Sequence, residues 1–354
     1  MPDSSASAAP QSAVPRATTT TSATPSGRPV PDAEADRVLI DAAMVSGATG
    51  QRLDQFLAAR LPGISRTRVQ RWIELGAVRV DRSIRLPSLR LKGFEQIEVE
   101  PQPLDADTAF QPDPVPLDIV YRDTDLVVIN KPAGLVTHPA PGNWRGTLMN
   151  GLLHADPEAA RLPRAGIVHR LDRDTSGLLV CARSERAFAA LTAQLERRRM
   201  GRCYLAIASG VTAAQGTVDA RIGRDERNRV RMAVVQAPAG KPARTHYRCL
   251  AVAPDSVASA VLCKLESGRT HQIRVHMASI GHPLLGDSLY GGRPSFGFGR
   301  QALHAWQLCF EHPAEPGRTC LFDAPVPDDL RQLASRLRIE LPEVAPEITR
   351  HPAQ

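Results

Sequence analysis

From Arg52 to Leu61 the apolar residues Leu53, Phe56, Leu57 and Leu61 recur at helical intervals and predict one amphipathic helix. Ser65 then reads as an N-cap, opening a second helix from about Arg66 to Leu75 whose apolar face is Val69, Trp72 and Ile73. Gly76 ends it. Val78-Arg79-Val80 and Gln96-Ile97-Glu98-Val99 alternate, as short half-buried strands do. Two helices and short strands within 37–100 predict a small α+β unit with a lead-in strand. Past it the pattern changes. Residues 101–116 hold five prolines and few apolar anchors, which predicts a linker. From Leu117 onward the apolar residues gather in short runs: Ile119-Val120-Tyr121, Leu126-Val127-Val128-Ile129, Leu178-Leu179-Val180-Cys181, Cys203-Tyr204-Leu205-Ala206-Ile207 and Val261-Leu262-Cys263-Lys264-Leu265. One clear helix, about Glu185 to Arg198, lies between two of them. The order is not a regular βαβ alternation. It predicts an α+β domain over 117–342 around a largely antiparallel sheet.

The flanks read differently. Residues 1–36 are rich in Ser, Ala, Thr and Pro and cannot bury enough surface to offset ordering, so they predict a disordered extension. Residues 343–354 predict a flexible tail. No apolar run approaches the roughly 18 residues of a membrane span, and no secretory signal is visible at the N-terminus.

Charge adds a partner class. The 354 residues carry a net charge of +7, and the chain beyond residue 36 carries +9, which suits a polyanion. Only four of the 44 basic residues are lysines, so the arginine count alone says little. Its distribution says more. Residues 49–100 hold ten basic side chains against six acids, and Arg66, Arg68 and Arg71 share the second helix. That pattern fits a solvated face and a phosphate-contacting face equally. The six cysteines form no C-x-x-C pair and several sit in strand-like runs, as reduced thiols of a cytoplasmic protein do.

Three segments concentrate reactive side chains. The first runs from Gly166 to Val180 and compresses His169, Arg170, Asp172, Arg173 and Asp174 between two apolar runs. Alone it reads as a structural turn capped by Asp172 or Asp174, although charges between buried strands are costly unless paired. The second is Arg202-Cys203-Tyr204, where a strand tyrosine is ordinarily core. The third is Ser267-Gly268-Arg269-Thr270-His271-Gln272-Ile273-Arg274-Val275-His276, followed by Gly281-His282-Pro283-Leu284-Leu285-Gly286-Asp287. Helical spacing places His271 and Arg274 near one face. His271 and His276 are five apart, the wrong interval for an i,i+4 zinc pair, so no metal site is expected.

Two resemblances organise these parts. The stretch R-L-D-x-F-L…S-R-T-R-V-x-x-W-I…G-x-V-x-V-D, over about residues 50–100, resembles the S4 RNA-binding domain, and implies that Arg66, Arg68 and Arg71 contact RNA. The segment H-R-L-D-x-D-T-S-G, with S-G-R-T-H-Q-I-R-V-H-M, G-H-P-L-L-G-D and the stretches Ile129–Pro139 and Gly240–Tyr247, resembles the RluA/RluD family of pseudouridine synthases. The H-P-A-P-G-N run from His138 to Asn143 and the S4 unit resemble most the RluD-like branch, which acts on the helix 69 stem-loop of large-subunit 23S ribosomal RNA. This implies a pseudouridine synthase fold: a mixed, largely antiparallel sheet with flanking helices and a central RNA-binding cleft. It implies Asp172 as catalytic carboxylate, Tyr204 as the strand tyrosine, Arg274 as the partner of Asp172, and Arg170 as the residue that helps displace the target base. Arg269 is expected to join the RNA-binding set. The position of Arg202, often Lys in the family, keeps its charge. No cofactor is implied, because the reaction neither adds atoms nor transfers electrons. The expected enzyme is a cytoplasmic monomer whose partner is ribosomal RNA. Another rRNA or tRNA site, and a non-catalytic rRNA-binding assembly factor, stand as alternatives.

Overall fold

The computed structural model describes residues 38–102, 109–140, 142–228, 230–292, 294 and 297–346. The expected disordered extension, residues 103–108 of the expected linker, and most of the expected tail lie outside these. The chain divides into two compact units, residues 1–102 and 103–354.

In the first unit, strands β1 (Val38–Ile40), β2 (Val78–Val80) and β3 (Ile97–Val99) form an antiparallel sheet in the order β1-β3-β2. Helices α1 (Ala42–Val45), α2 (Leu53–Arg60) and α3 (Arg66–Glu74) complete it. Leu53, Phe56, Leu57, Val69, Trp72 and Ile73 are buried against the strands, as the helical spacing requires. Ser65 caps α3, its side chain accepting from Arg68 N–H. Gly76 takes a positive φ of 76°, which frees the chain to turn from α3 into β2.

The second unit is built on one nine-stranded sheet. Its strands are β4 (Ile119–Arg122), β5 (Leu126–Lys131), β6 (Ser176–Ala182), β7 (Gly201–Ser209), β8 (Gln215–Asp219), β11 (Arg244–Val252), β12 (Ala258–Leu265), β13 (Leu303–Glu311) and β14 (Thr319–Asp323). A separate hairpin joins β9 (Ile222–Arg224) to β10 (Met232–Val234). The path runs β4-β5-β6-β13-β7-β12-β11-β8, with β14 beside β13. Among the described residues only β6 and β13 run parallel; every other pair is antiparallel. At that parallel contact Gly177 has φ 110°, and a Cβ there would collide with the Ala305 backbone. Glycine lets the two strands approach at the end of the loop that carries Asp172.

Helices α4 (Leu148–Ala155), α5 (Glu185–Glu196), α6 (Gln272–Ser279) and α7 (Asp328–Arg336) cover the sheet. Strand β7 shows how. Tyr204, Ala206 and Ala208 pack into the core with α4 and α6, while Cys203, Leu205 and Ile207 pack into the core with α7. Burial on both faces explains why the central strands read as continuous apolar runs rather than as alternations. Residues 109–116, read from the sequence as the end of a linker, are held to this unit. Asn150 donates to the Ala109 and Gln111 carbonyls, and Asp113 accepts from Arg145 and from Gly146 N–H. Prolines that break secondary structure left these polar ties unseen. None of the helices described is long and apolar enough to cross a membrane.

Candidate active site

The loop before β6 is fixed by backbone oxygens. Lys131, fully buried at the end of β5, donates from Nζ to the carbonyls of Pro132, Leu135 and Arg173 at 2.7–2.9 Å. Burial pulls its pKa down to about 7, against the carboxylates of Asp174 and Asp172. Thr137 donates to the Leu171 carbonyl at 2.8 Å, and Thr175 N–H donates to the Asp172 carbonyl at 3.1 Å. A turn therefore exists here, as the residue types suggested. Its closure uses the backbone of Asp172 and leaves the carboxylate for other partners.

That carboxylate meets α6. Arg274 Nη1 donates to Asp172 Oδ2 at 3.0 Å. The rest of the guanidinium grips Asp287, Nε to Oδ2 at 2.6 Å and Nη2 to Oδ1 at 2.8 Å, and it lies over the Tyr290 ring. Arg274 is buried, and burial works against its charge, but Asp287 and Asp172 outweigh that and push its pKa up. A cation so held stays charged beside Asp172. The other oxygen, Oδ1, faces His271 Nε2 at 3.9 Å. His271 sits just before α6 with a left-handed φ of 57°, its Nδ1 2.7 Å from the Tyr290 hydroxyl. Burial lowers its basicity, so it is neutral at neutral pH.

Asp172, Tyr204, Arg274, His271, Arg170 and Arg269 all line one cavity of about 530 Å³, a size suited to a nucleoside. Tyr204 is buried and its hydroxyl is pushed up to about 12, so it enters any reaction at neutral pH as the phenol. Arg170 is exposed on the cavity wall, and Arg269 donates to the Pro242 carbonyl. The sequence-derived residues of the second unit thus converge. Those of the first unit form their own cluster on α3. Arg66 pairs with Asp54, Arg68 stacks over the Trp72 ring and donates to the Gln102 carbonyl, and Arg71 is exposed. Sequence reasoning gave no role to Asp287, Tyr290, Lys131 or Thr137. A visible sign existed for Lys131, a lone lysine closing the apolar run of β5. Among the described residues, no cluster of His, Cys, Asp or Glu is arranged to hold a metal ion.

A family model described as RNA pseudouridylate synthase matches residues 125–279, and one described as S4 domain matches residues 51–97. The chain is 49% identical over 303 residues to the ribosomal large subunit pseudouridine synthase D of Neisseria meningitidis serogroup A, covering 82% of this chain and 80% of the relative. It is 48% identical over 308 residues to that of Nitrosomonas europaea, covering 84% and 88%. For Escherichia coli K12 the identity is 44% over 328 residues, covering 89% and 99%. The solved structure of human RNA pseudouridylate synthase domain containing 4 superposes with a TM-score of 0.51 at 26% identity, covering 63% of this chain and 94% of that one. The chain belongs to the family of RNA pseudouridine synthases that includes ribosomal large subunit pseudouridine synthase D, and it is an isomerase that converts uridine in RNA to pseudouridine.

Proposed function

We propose that the substrate is large-subunit ribosomal RNA, that the target uridine lies in the helix 69 stem-loop, and that Asp172 is the catalytic carboxylate. One observation carries the assignment. Asp172 has a single oxygen held by a buried arginine, while its other oxygen faces a cavity it shares with Tyr204. The names of the relatives support the choice of RNA.

The reaction breaks the N1–C1′ bond, turns the uracil and joins C5 to C1′. The C5 proton leaves and N1 gains one, so the balance closes without a redox partner. Asp172 either attacks C1′ or takes a proton from the sugar, and both routes need it ionised. Arg274 stays charged beside it. Tyr204, a phenol at neutral pH, lies against the base and acts as a wall and a hydrogen-bond donor. Because unstacking a base costs a few kcal/mol, the exposed Arg170 fills the space the uridine leaves. In the S4 unit, Arg66, Arg68 and Arg71 contact backbone phosphate. A monomer acting in the cytoplasm completes the reading, supported by a full set of site residues within one chain and by the buried thiols of Cys181, Cys203 and Cys263.

Tritium release from RNA labelled at uracil C5 tests the chemistry. Asp172→Asn is expected to lose at least about 10⁴-fold in rate with its fold intact. Equal release by the variant and the wild type sinks the assignment. Mapping pseudouridine in a strain lacking the protein tests the site: helix 69 still fully modified there excludes it. Deleting residues 50–100 is expected to weaken RNA binding and flatten its salt dependence.

A further inference from the structure

Strand β7 sends Arg202 and Tyr204 to the same side, because side chains two apart on a strand share a face. Both line the cavity that holds Asp172. Arg202 is only 6% exposed, yet among the described residues no carboxylate pairs with it, and its buried Nε meets no acceptor. Two other arginines of the lining do have carboxylate partners. Arg274 holds two aspartates and Arg198 pairs with Glu266. A guanidinium removed from water without a counter-charge is costly, and such groups persist where a ligand completes them.

Two further features point the same way. His169, on the same cavity wall, accepts Val180 N–H at Nε2, 3.1 Å away. Its ring proton therefore sits on Nδ1, which is buried and has no acceptor. Both of these groups are donors, and His138 Nε2, on the same lining, is also buried without a partner. The lining as a whole holds six arginines, at 164, 170, 198, 202, 269 and 274, against Asp172, Glu196 and Glu266. The missing partner is thus an anion with several acceptor oxygens. Gly268 fits this picture. A Cβ at that position would come within 2.5 Å of Arg202 Nη1, so the glycine leaves the guanidinium its place on the wall.

We propose that Arg202 is the anchor of a phosphate subsite, binding a phosphodiester that flanks the target uridine, with His169 and Arg269 around it. The planar fork of a guanidinium matches two phosphate oxygens at once. The subsite fixes the register of the strand, so that the nucleotide beside the bound phosphate is the one presented to Tyr204 and Asp172. This inference rests on an RNA substrate.

The test uses full-length protein and an RNA stem-loop carrying the target uridine, unmodified or with one neutral methylphosphonate linkage 5′ or 3′ of it. Binding is measured in the Asp172→Asn background, so that no turnover occurs. The parent background is expected to lose about tenfold in affinity at one of the two linkages. Arg202→Met is expected to bind unmodified RNA about tenfold more weakly, to lower the slope of log K against log salt by about 1, and to lose its sensitivity to that linkage. Arg202→Lys is expected to restore the salt slope. Gly268→Ala displaces the guanidinium without removing its charge or a core side chain. It gives the same loss of linkage sensitivity even if Arg202→Met folds poorly. Full linkage sensitivity retained in Gly268→Ala and in any folded Arg202→Met overturns the proposal. So does an unchanged salt slope with only the isomerisation rate lowered, which places Arg202 on the uracil carbonyls instead. Tritium release by the wild type is scored separately, and its absence sinks the substrate reading and not this one.

Discussion

The tripeptide Arg-Leu-Asp occurs once in each unit, as Arg52-Leu53-Asp54 and as Arg170-Leu171-Asp172. In both, the leucine is core. The two aspartates differ in what they are left to do. Asp54 is fully buried, and both its oxygens are taken. Arg52 holds them at 3.0 and 3.1 Å, Gln70 adds a bond of 2.6 Å, and Arg66 adds two more. These partners hold its carboxyl well below the usual carboxylate range, against the cost of burial. Asp172 has one bond, to an arginine more than a hundred residues away, while its neighbour Arg170 stays exposed. A saturated carboxylate is a structural tie. A carboxylate with one oxygen held and the other turned to a cleft is available as a reagent, the role proposed for Asp172. The tripeptide itself does not separate them; long-range partners do.

Acid is expected to part the two units most widely. Residues 1–102 contain no histidine. In the second unit burial lowers His138 to about 4, His169 to about 3 and His304 to about 4. A group whose folded pKa is depressed contributes stability above its unfolded pKa and loses it as pH falls toward the folded one. Between pH 6.5 and 4 the unfolded chain therefore binds up to three more protons at these histidines, a slope of about 4 kcal/mol per pH unit from them, and His271 and His276, also lowered by burial, add to it. The urea midpoint of the second unit should drop across this window. That of the first should hold until pH falls below about 4.5, where the carboxyls of Glu95 and then Asp54, both lowered in the fold, begin to take up protons in the unfolded chain. Parallel loss in both units breaks the contrast.

Replacing Arg274 with Met probes the open carboxylate. It strands Asp287, whose side chain is 1% exposed. Removing one partner of a buried pair costs about 3–5 kcal/mol, so both thermal stability and tritium release are expected to fall. Adding Asp287→Asn should return most of the stability and none of the activity. Recovery of activity in the double variant would mean that Arg274 serves only the fold. Replacing Asp54 with Ala is the matching test in the first unit. It removes several charge-assisted bonds but leaves arginines that reach water, so about 2–3 kcal/mol is expected, confined to that unit. Loss of catalysis on saturating RNA would contradict a purely structural role.

These residues also mark how far the sequence could be read. Helical spacing located α2 and α3 to within a residue or two, because one apolar face of a short helix is a local pattern. The strands of the second unit were legible as runs but not their order, since which runs pair depends on contacts between distant segments. The meeting of Asp172, Tyr204 and Arg274 followed from family resemblance and not from spacing. They lie on a loop, a strand and a helix with no local rule connecting them. Asp287 and Tyr290 escaped for the same reason, although Asp287 stood within a motif already noticed. Arg66 shows the converse. Its pairing with Asp54, twelve residues earlier, is hidden from any one-helix view, while its side chain stays 46% exposed and open to a phosphate.

The smallest effect is expected at Ser65. Its side chain accepts Arg68 N–H at 3.4 Å, a long bond, and it caps the helix that carries Arg66, Arg68 and Arg71. Capping residues changed to Ala cost about 0.5–2 kcal/mol, and this geometry belongs near the low end. Ser65→Ala should lower the midpoint of the first unit slightly. It should leave the rate on saturating RNA unchanged and raise KM modestly, because α3 presents its arginines less often in the ordered form. Asp replacing Ser keeps the cap and should restore both readings. If instead the saturated rate falls with Ser65→Ala, the first unit does more than bind, and Asp54 and Asp172 are not divided between tie and reagent as their hydrogen bonds suggest.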